Sequence, residues 1–261
     1  ARISYQRFFR RYMHLCGMTG TARETAGELQ SVYGLRVRKI PTHIPSRLQH
    51  LGDSVYATSD ARWQQVVSRL LELNRQHRPV LVGTRSVGDS EDLGSLLTEA
   101  GLAHRILNAR QDADEAGLVE QAGQAGAITI ATNMAGRGTD IPLGPSVDEI
   151  GGLHVIAAER NTARRIDRQL FGRTARQGAP GSYESVLSLE DRVMRDFMAK
   201  FVHLIAARYG RTPSPLPGWL GRYVTNHCQR RSEHRQRQQR RILEKMDDYY
   251  GKMLAFSGER E

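Results

Sequence analysis

The sequence predicts an α/β fold, a parallel sheet with helices on both faces, followed by a helical C-terminal extension that carries a long polar helix. Three observations lead there. Short apolar runs, Val80-Leu81-Val82, Ile128-Thr129-Ile130-Ala131 and Leu153-His154-Val155-Ile156, recur with amphipathic stretches between them. Strands that alternate with helices of about 10 to 15 residues form parallel sheets. The 25 glycines fall largely where such elements would end, and beyond Asp191 the pattern turns wholly helical.

Taken in order, Phe8, Phe9, Tyr12 and Leu15 at helical spacing predict an amphipathic N-terminal helix. A tight Gly17-Met18-Thr19-Gly20-Thr21 turn, a helix near residues 22–32 and a short strand over 35–40 follow, and Pro41 and Pro45 mark a connector. A strand is expected around 55–57. The helix over 61–76 then has Ser59 or Asp60 as its cap and turns Val66, Val67, Leu70 and Leu71 inward. Next come a strand at 80–83, a helix at 89–100 closed by Gly101, a strand at 104–107 and a helix at 113–121. Strands at 128–132 and 153–158 precede a helix over 163–177, which ends at Gly178 with Pro180 beyond it. A strand at 183–189 and a helix at 191–209 lead to a linker containing Pro213, Pro215 and Pro217. The polar helix over 219–254 has few apolar residues between Arg230 and Arg241. A helix of that kind is seldom stable alone and is expected to pack along other domains.

The formal charge of +10 asks for an acidic partner, such as nucleic acid, anionic lipid, nucleotide or acidic protein. It is nearly all arginine and concentrates at the ends, at Arg2, Arg7, Arg10 and Arg11 and again at Arg230, Arg231, Arg235, Arg237, Arg240 and Arg241. No run approaches the roughly 20 apolar residues of a membrane span. The start at Ala1-Arg2-Ile3 has neither an initiating Met nor an apolar leader, which suggests a fragment of a longer protein. Cys16 and Cys228 lack metal-ligand spacing, the histidines form no ligand pair, and no zinc site is expected. A cytoplasmic setting fits.

Chemistry concentrates in two stretches. Residues 128–140, ITIATNMAGRGTD, read as a buried strand running into a glycine turn with Gly136, Gly138 and a carboxylate, Asp140. Residues 165–181, RIDRQLFGRTARQGAPG, read as a helix with Arg173 and Arg176 three residues apart and so on one face. Guanidinium is planar, always charged and forked, which suits phosphate oxygens. In open α/β sheets ligands bind beyond the strand carboxyl ends, where Gly83-Thr84-Arg85-Ser86 and the Gly136–Asp140 turn both fall. Asp140 is equally able to cap its own turn, and Thr84 and Ser86 read as helix caps. A phosphate-cradling G-x-x-x-x-G-K-[ST] loop is excluded, because the four lysines precede Ile40, Phe201, Met246 and Met253. Ser188 with Asp191 reads as a capping box opening the next helix.

Several segments together resemble one family, SecA, the ATP-driven motor of bacterial protein export. They are GMTGTA at 17–22, VLVGTRS at 80–86, ITIATNMAGRGTDI at 128–141, GGLHVI at 151–156, the arginine stretch at 164–178, LSLED at 187–191 and the polar helix around 230–248. The resemblance implies that residues 41–195 are the second RecA-like nucleotide-binding domain. Residues 1–40 would be a remnant edge of the first, and 196–261 a helical linker with the start of the long scaffold helix. ATP would lie between the two motor domains, with the phosphate loop and the Mg²⁺ on the first, so this stretch alone is expected not to hydrolyse ATP. Asp140 and Arg137 would contact the nucleotide, with Gly136 letting the backbone approach. Arg173 and Arg176 would be arginine fingers, with Gln177 positioning water or coupling the fingers to the loop. The implied partners are the first motor domain, a preprotein, the translocon channel and acidic lipids, at the inner face of the cytoplasmic membrane. Phe171, Ala175, Ala179 and Asn161-Thr162-Ala163 depart from the family pattern. The alternative readings are the C-terminal motor domain of a superfamily 2 nucleic-acid helicase and a non-enzymatic interaction module.

Overall fold

The structure, a computed structural model, describes residues 4–107, 115–132, 139–210 and 212–258. In chain order its elements are α1 (Tyr5–Phe9), α2 (Ala26–Tyr33), β1 (Arg47–Tyr56), α3 (Ser59–Arg75), β2 (Val80–Thr84), α4 (Val87–Glu99) and β3 (Arg105–Leu107). They continue as α5 (Glu115–Gln121), β4 (Ile128–Thr132), β5 (Leu153–Ala157), α6 (Arg164–Phe171), β6 (Pro180–Ser188), α7 (Arg192–Tyr209) and α8 (Gly218–Gly258). Two compact units result, one of Thr42–Gln229 and one that joins Ala1–Pro41 with Arg230–Glu261.

The larger unit is an all-parallel sheet in the order β1-β6-β5-β2-β4-β3. Its central strands are apolar runs because both faces are covered. Val80 and Val82 of β2 pack with Val66, Leu70 and Leu73 of α3 and Leu93 and Leu97 of α4. Leu81, on the other face, joins Val119 of α5 and Leu170 and Phe171 of α6. Gly83 makes this close approach of α6 possible, since a Cβ there would lie 2.3 Å from the Leu170 side chain. From β2 the chain goes out to β3, back to β4, and then crosses to β5 on the far side of β2. The crevice at such a reversal, beyond the carboxyl ends of the strands, is where ligands of open α/β sheets bind.

A third cluster lies at the end of β1 and β6. Val55, Leu187 and Leu189 pack with Val193 and Met194 of α7 and with Leu220, Val224 and Cys228 of α8. The first turns of α8 therefore belong with the sheet.

Three local expectations are corrected. β1 begins at Arg47 rather than near residue 55. Its first six residues are exposed and its register shifts between His50 and Gly52, so they show no apolar alternation. Residues 35–40 form no strand, because the smaller unit offers no partner ladder among its described residues. The cap of α3 is Thr58, whose hydroxyl accepts from the Ala61 N–H at 3.3 Å.

In the smaller unit α1 stops at Phe9, and Tyr12 and Leu15 lie beyond it. Gly34, at φ 71°, closes α2. Thr19 Oγ1 accepts from the Thr21 N–H at 3.2 Å in an exposed turn. Arg240 grips the Glu28 carboxylate, with Nη2 donating at 2.9 Å. Among the described residues no helix is long and apolar enough to cross a membrane.

Candidate functional site

At the carboxyl edge of the sheet the segment after β4 meets the turn after α6. Arg176 Nη1 donates to Asp140 Oδ1 at 2.8 Å and to the Thr139 carbonyl at 3.5 Å, while its Nε donates to the Gly172 carbonyl at 2.8 Å. Gln177 Nε2 reaches Asp140 Oδ2 at 3.5 Å. Asp140 also accepts from the Ile141 N–H at 3.1 Å, so it caps its own turn while holding Arg176. The ion pair is 40% and 50% exposed. Such a pair contributes roughly 0.2–1 kcal/mol, so it orients a guanidinium more than it stabilises the fold. Gly136 and Arg137 lie outside the described residues.

Arg173 and Arg176 do not share a helical face. α6 ends at Phe171, and the Gly172 N–H closes it onto the Arg168 carbonyl at 2.8 Å. Thr174 then turns inward, its hydroxyl donating to the Leu153 carbonyl at 2.6 Å. Gly181 makes room, since a Cβ there would lie 2.1 Å from that hydroxyl. Ala175 and Gln177 take φ of 53° and Gly178 takes 81°, so a tight turn presents the two arginines. Arg173 is half-buried at the start of this turn. A left-handed φ costs a non-glycine residue roughly 1–2 kcal/mol. Ala175→Gly should therefore raise stability by roughly 0.5–1 kcal/mol, after the added freedom of the unfolded glycine is subtracted. A urea titration that showed destabilisation would contradict the strain assigned to this turn.

Ser86 is the cap of α4, accepting from the Asp89 N–H at 3.0 Å, as expected. Thr84 is buried, and among the described residues its hydroxyl has no hydrogen-bond partner. The Ser188–Asp191 pair forms half a capping box. The Ser188 N–H donates to Asp191 Oδ2 at 3.1 Å, but Asp191 does not cap α7 with its side chain. Instead it takes Arg62 Nη1 at 2.8 Å, with Glu159 at 3.5 Å from the same nitrogen. Arg62 sits on the buried face of α3, one turn before Val66 and two before Leu70, a placement visible in the sequence.

Burial pushes Asp191 up to about 8, with Glu159 and Asp89 adding to the rise and Arg62 opposing it. Glu159 is raised as well, chiefly by burial. The folded state thus keeps a proton that the unfolded chain releases at lower pH. The linked stability is complete below the ordinary carboxylate range and is lost as pH rises through about 8. Between about pH 7 and 9 the chain should lose on the order of 1 kcal/mol. Chemical denaturation of Asp191→Asn should show a flatter profile, and an unchanged slope would contradict the assignment.

The GGLHVI segment has a structural explanation. His154, fully buried, meets Ser182 through Nδ1 at 2.7 Å and Glu184 through Nε2 at 2.9 Å. Burial lowers the pKa of His154. Burial works against ionised Glu184, but hydrogen bonds from His154 and Arg69 hold its carboxyl below the usual range. Arg78 donates to the Gly151 and Gly152 carbonyls and to Ser182.

A second network was not legible in the sequence. Asp167 Oδ1 accepts from the Asn161 N–H and Nδ2, both at 2.9 Å, and Oδ2 accepts from Gln229 Nε2 at 2.6 Å. Arg160 bridges Asp167 at 3.5 Å and Asp53 at 2.7 Å. Among the described residues no cluster of His, Cys, Asp or Glu could hold a metal ion.

Comparison with known proteins places these features. The family profile described as "SecA P-loop domain" matches residues 45–150 and 145–212, and the one described as "SecA DEAD-like domain" matches residues 1–30. The chain is 49% identical, over 98% of its length, to Protein translocase subunit SecA 2 of Bordetella avium (strain 197N). It is 46% identical, over its whole length, to the protein of the same name from Nitrosospira multiformis. It spans 39% of each of those relatives. Among solved structures, the yeast DEAD-box splicing factor Prp28 aligns over 81% of this chain and 43% of its own, at 15% identity and a TM-score of 0.48.

Proposed function

Because the chain belongs to the SecA family, we propose that it is the arginine-donating motor half of an ATPase that drives preproteins through a membrane channel. The observation that carries the reading is the meeting of Asp140, Arg176 and Gln177 at the carboxyl edge of the sheet. Of the Arg176 guanidinium nitrogens, Nε and Nη1 are engaged by the protein, while Nη2 makes no hydrogen bond among the described residues. That donor, on a partly exposed side chain, fits a phosphate oxygen.

ATP would supply the phosphoryl group and the negative charge to be neutralised, and Mg²⁺ held by the other motor half would offset part of that charge. Asp140 keeps Arg176 aimed, Gln177 steadies Asp140, and Arg173 and Arg176 meet negative charge as it develops. In this reading Arg137 contacts the nucleotide and Gly136 lets the backbone approach it. The first motor domain of the same protein, a preprotein, the translocon channel and acidic lipids at the inner membrane face are the partners this reading carries. Without the other motor half this chain does not turn over ATP.

Asp140→Asn tests the aiming role, because it preserves shape and removes charge. In the complete protein it should lower kcat by roughly tenfold and change KM for ATP by only a few-fold. Wild-type kcat in that variant would show that Asp140 serves its turn alone.

A further inference from the structure

We propose that Gln229, in α8, is a positioning residue for the arginine turn: its side-chain amide clamps Asp167 and Asn161, and so sets where α6 delivers Arg173 and Arg176. The proposal rests on the nucleotide reading above and extends it to a residue outside the segments that face the crevice.

The geometry is specific. Gln229 Nε2 donates both to Asp167 Oδ2 at 2.6 Å and to the Asn161 carbonyl at 3.0 Å. A primary amide nitrogen carries two N–H groups, and both are used. The carboxylate is shared between two elements, since Oδ1 holds the backbone and side chain of Asn161. Asp167, Asn161 and Gln229 are 2%, 4% and 4% exposed, so water does not replace a lost donor. Asn161 lies just beyond the carboxyl end of β5, and Asp167 lies in the first turn of α6.

From Asp167 the lever to the arginines is short. One helical turn leads to Phe171, the Gly172 cap follows, and the Arg173 N–H donates to the Leu170 carbonyl at 3.1 Å. α6 also packs on the sheet through Leu170 against Gly83 and Phe171 stacked on Tyr183, and just beyond it Thr174 bonds the Leu153 carbonyl. Those contacts fix its far end and its distance from β2. The Gln229 amide ties the near end to α8, beside the Asn161 and Arg160 contacts of the same carboxylate. Without it, α6 keeps its seat on the sheet but loses the restraint that α8 places on its first turn, and small errors there are carried to the guanidinium groups. Misplacing a reacting group by about 1 Å can cost as much as 10²-fold in rate.

The test compares Gln229→Met, which keeps volume but removes both donors, with the charge-conserving double exchange Asp167→Asn/Gln229→Glu, in which the donor and acceptor trade places. In this chain, hydrogen exchange at the Asn161 and Arg173 amides should quicken about tenfold or more in Gln229→Met, with the β2 amides unchanged. In the complete protein the same variant should lower kcat for ATP roughly ten- to hundredfold with KM within twofold, and the double exchange, which rebuilds the contact between residues 167 and 229 but leaves the Asn161 carbonyl without its donor, should recover part of the loss. General destabilisation would instead quicken the β2 amides too and leave the kcat-to-KM split unmoved, which would overturn the proposal. So would wild-type kcat in Gln229→Met alongside lost turnover in Arg176→Ala. If Arg176→Ala itself keeps full turnover, the nucleotide reading fails instead. The Arg173 amide then decides: faster exchange retains Gln229 as the clamp of the turn, and an unchanged rate removes it.

Discussion

Arg176→Ala in the complete protein is expected to lower kcat for ATP hydrolysis by about 10³-fold or more while KM for ATP stays within a few-fold. The effect is large because, in the proposed mechanism, the guanidinium acts where charge develops, and a group of that kind stabilises the transition state more than the ground state. It is selective because Arg176 is already oriented by protein partners before any nucleotide arrives. Nε is fixed on the Gly172 carbonyl and Nη1 on Asp140. Arg173→Ala, three residues earlier in the same turn, should behave similarly. Arg176→Lys should recover little, since a single ammonium cannot reproduce a forked set of donors held at Gly172 and Asp140 while a third faces a phosphate.

Gly152→Ala should have the largest effect on folding, a loss of roughly 3–5 kcal/mol in urea denaturation of this chain. Gly152 has φ of 70°, and a Cβ there would lie 1.9 Å from the Pro180 carbonyl oxygen, a backbone atom. Pro180 opens β6, whose next residue, Gly181, is paired with Leu153. The strand therefore cannot yield without losing register. Arg78 holds the loop from the other side through the Gly151 and Gly152 carbonyls. Gly117, in α5, has no atom of the described residues within 4 Å of where a Cβ would lie and is the control, because Gly117→Ala should not destabilise. Comparable urea midpoints for the two variants would contradict the close approach assigned to Gly152.

Those glycines also show why some of the molecule is readable from residues and some is not. β2, β4 and β5 are continuous apolar runs because helices cover both of their faces, and a run of that kind is visible without knowing its neighbours. The exposed start of β1 carries no such pattern and was not legible. Asp140 and Arg176 stand out as candidates by their residue types and glycine-rich surroundings. Their meeting does not, since they lie 36 residues apart and join through a turn that breaks helical spacing. The pattern predicts an arginine helix over 163–177, but α6 stops at Phe171, and Thr174 beyond it turns inward through a hydroxyl bond that depends on a strand elsewhere in the chain. Asp167 and Gln229 are separated by 62 residues and leave no local period at all. Arg62 could have been found, because an arginine in register with Val66 and Leu70 on α3 requires a buried partner.

The central claim is that this chain directs guanidinium groups at a phosphoryl group in transit, and binding of a transition-state mimic tests it most directly. The complete protein should bind ADP with aluminium fluoride far more tightly than ADP alone. Arg176→Ala should lose roughly 10²-fold or more of the affinity for the mimic while its ADP affinity changes by only a few-fold. Equal tightening on the mimic by wild type and variant would contradict the account.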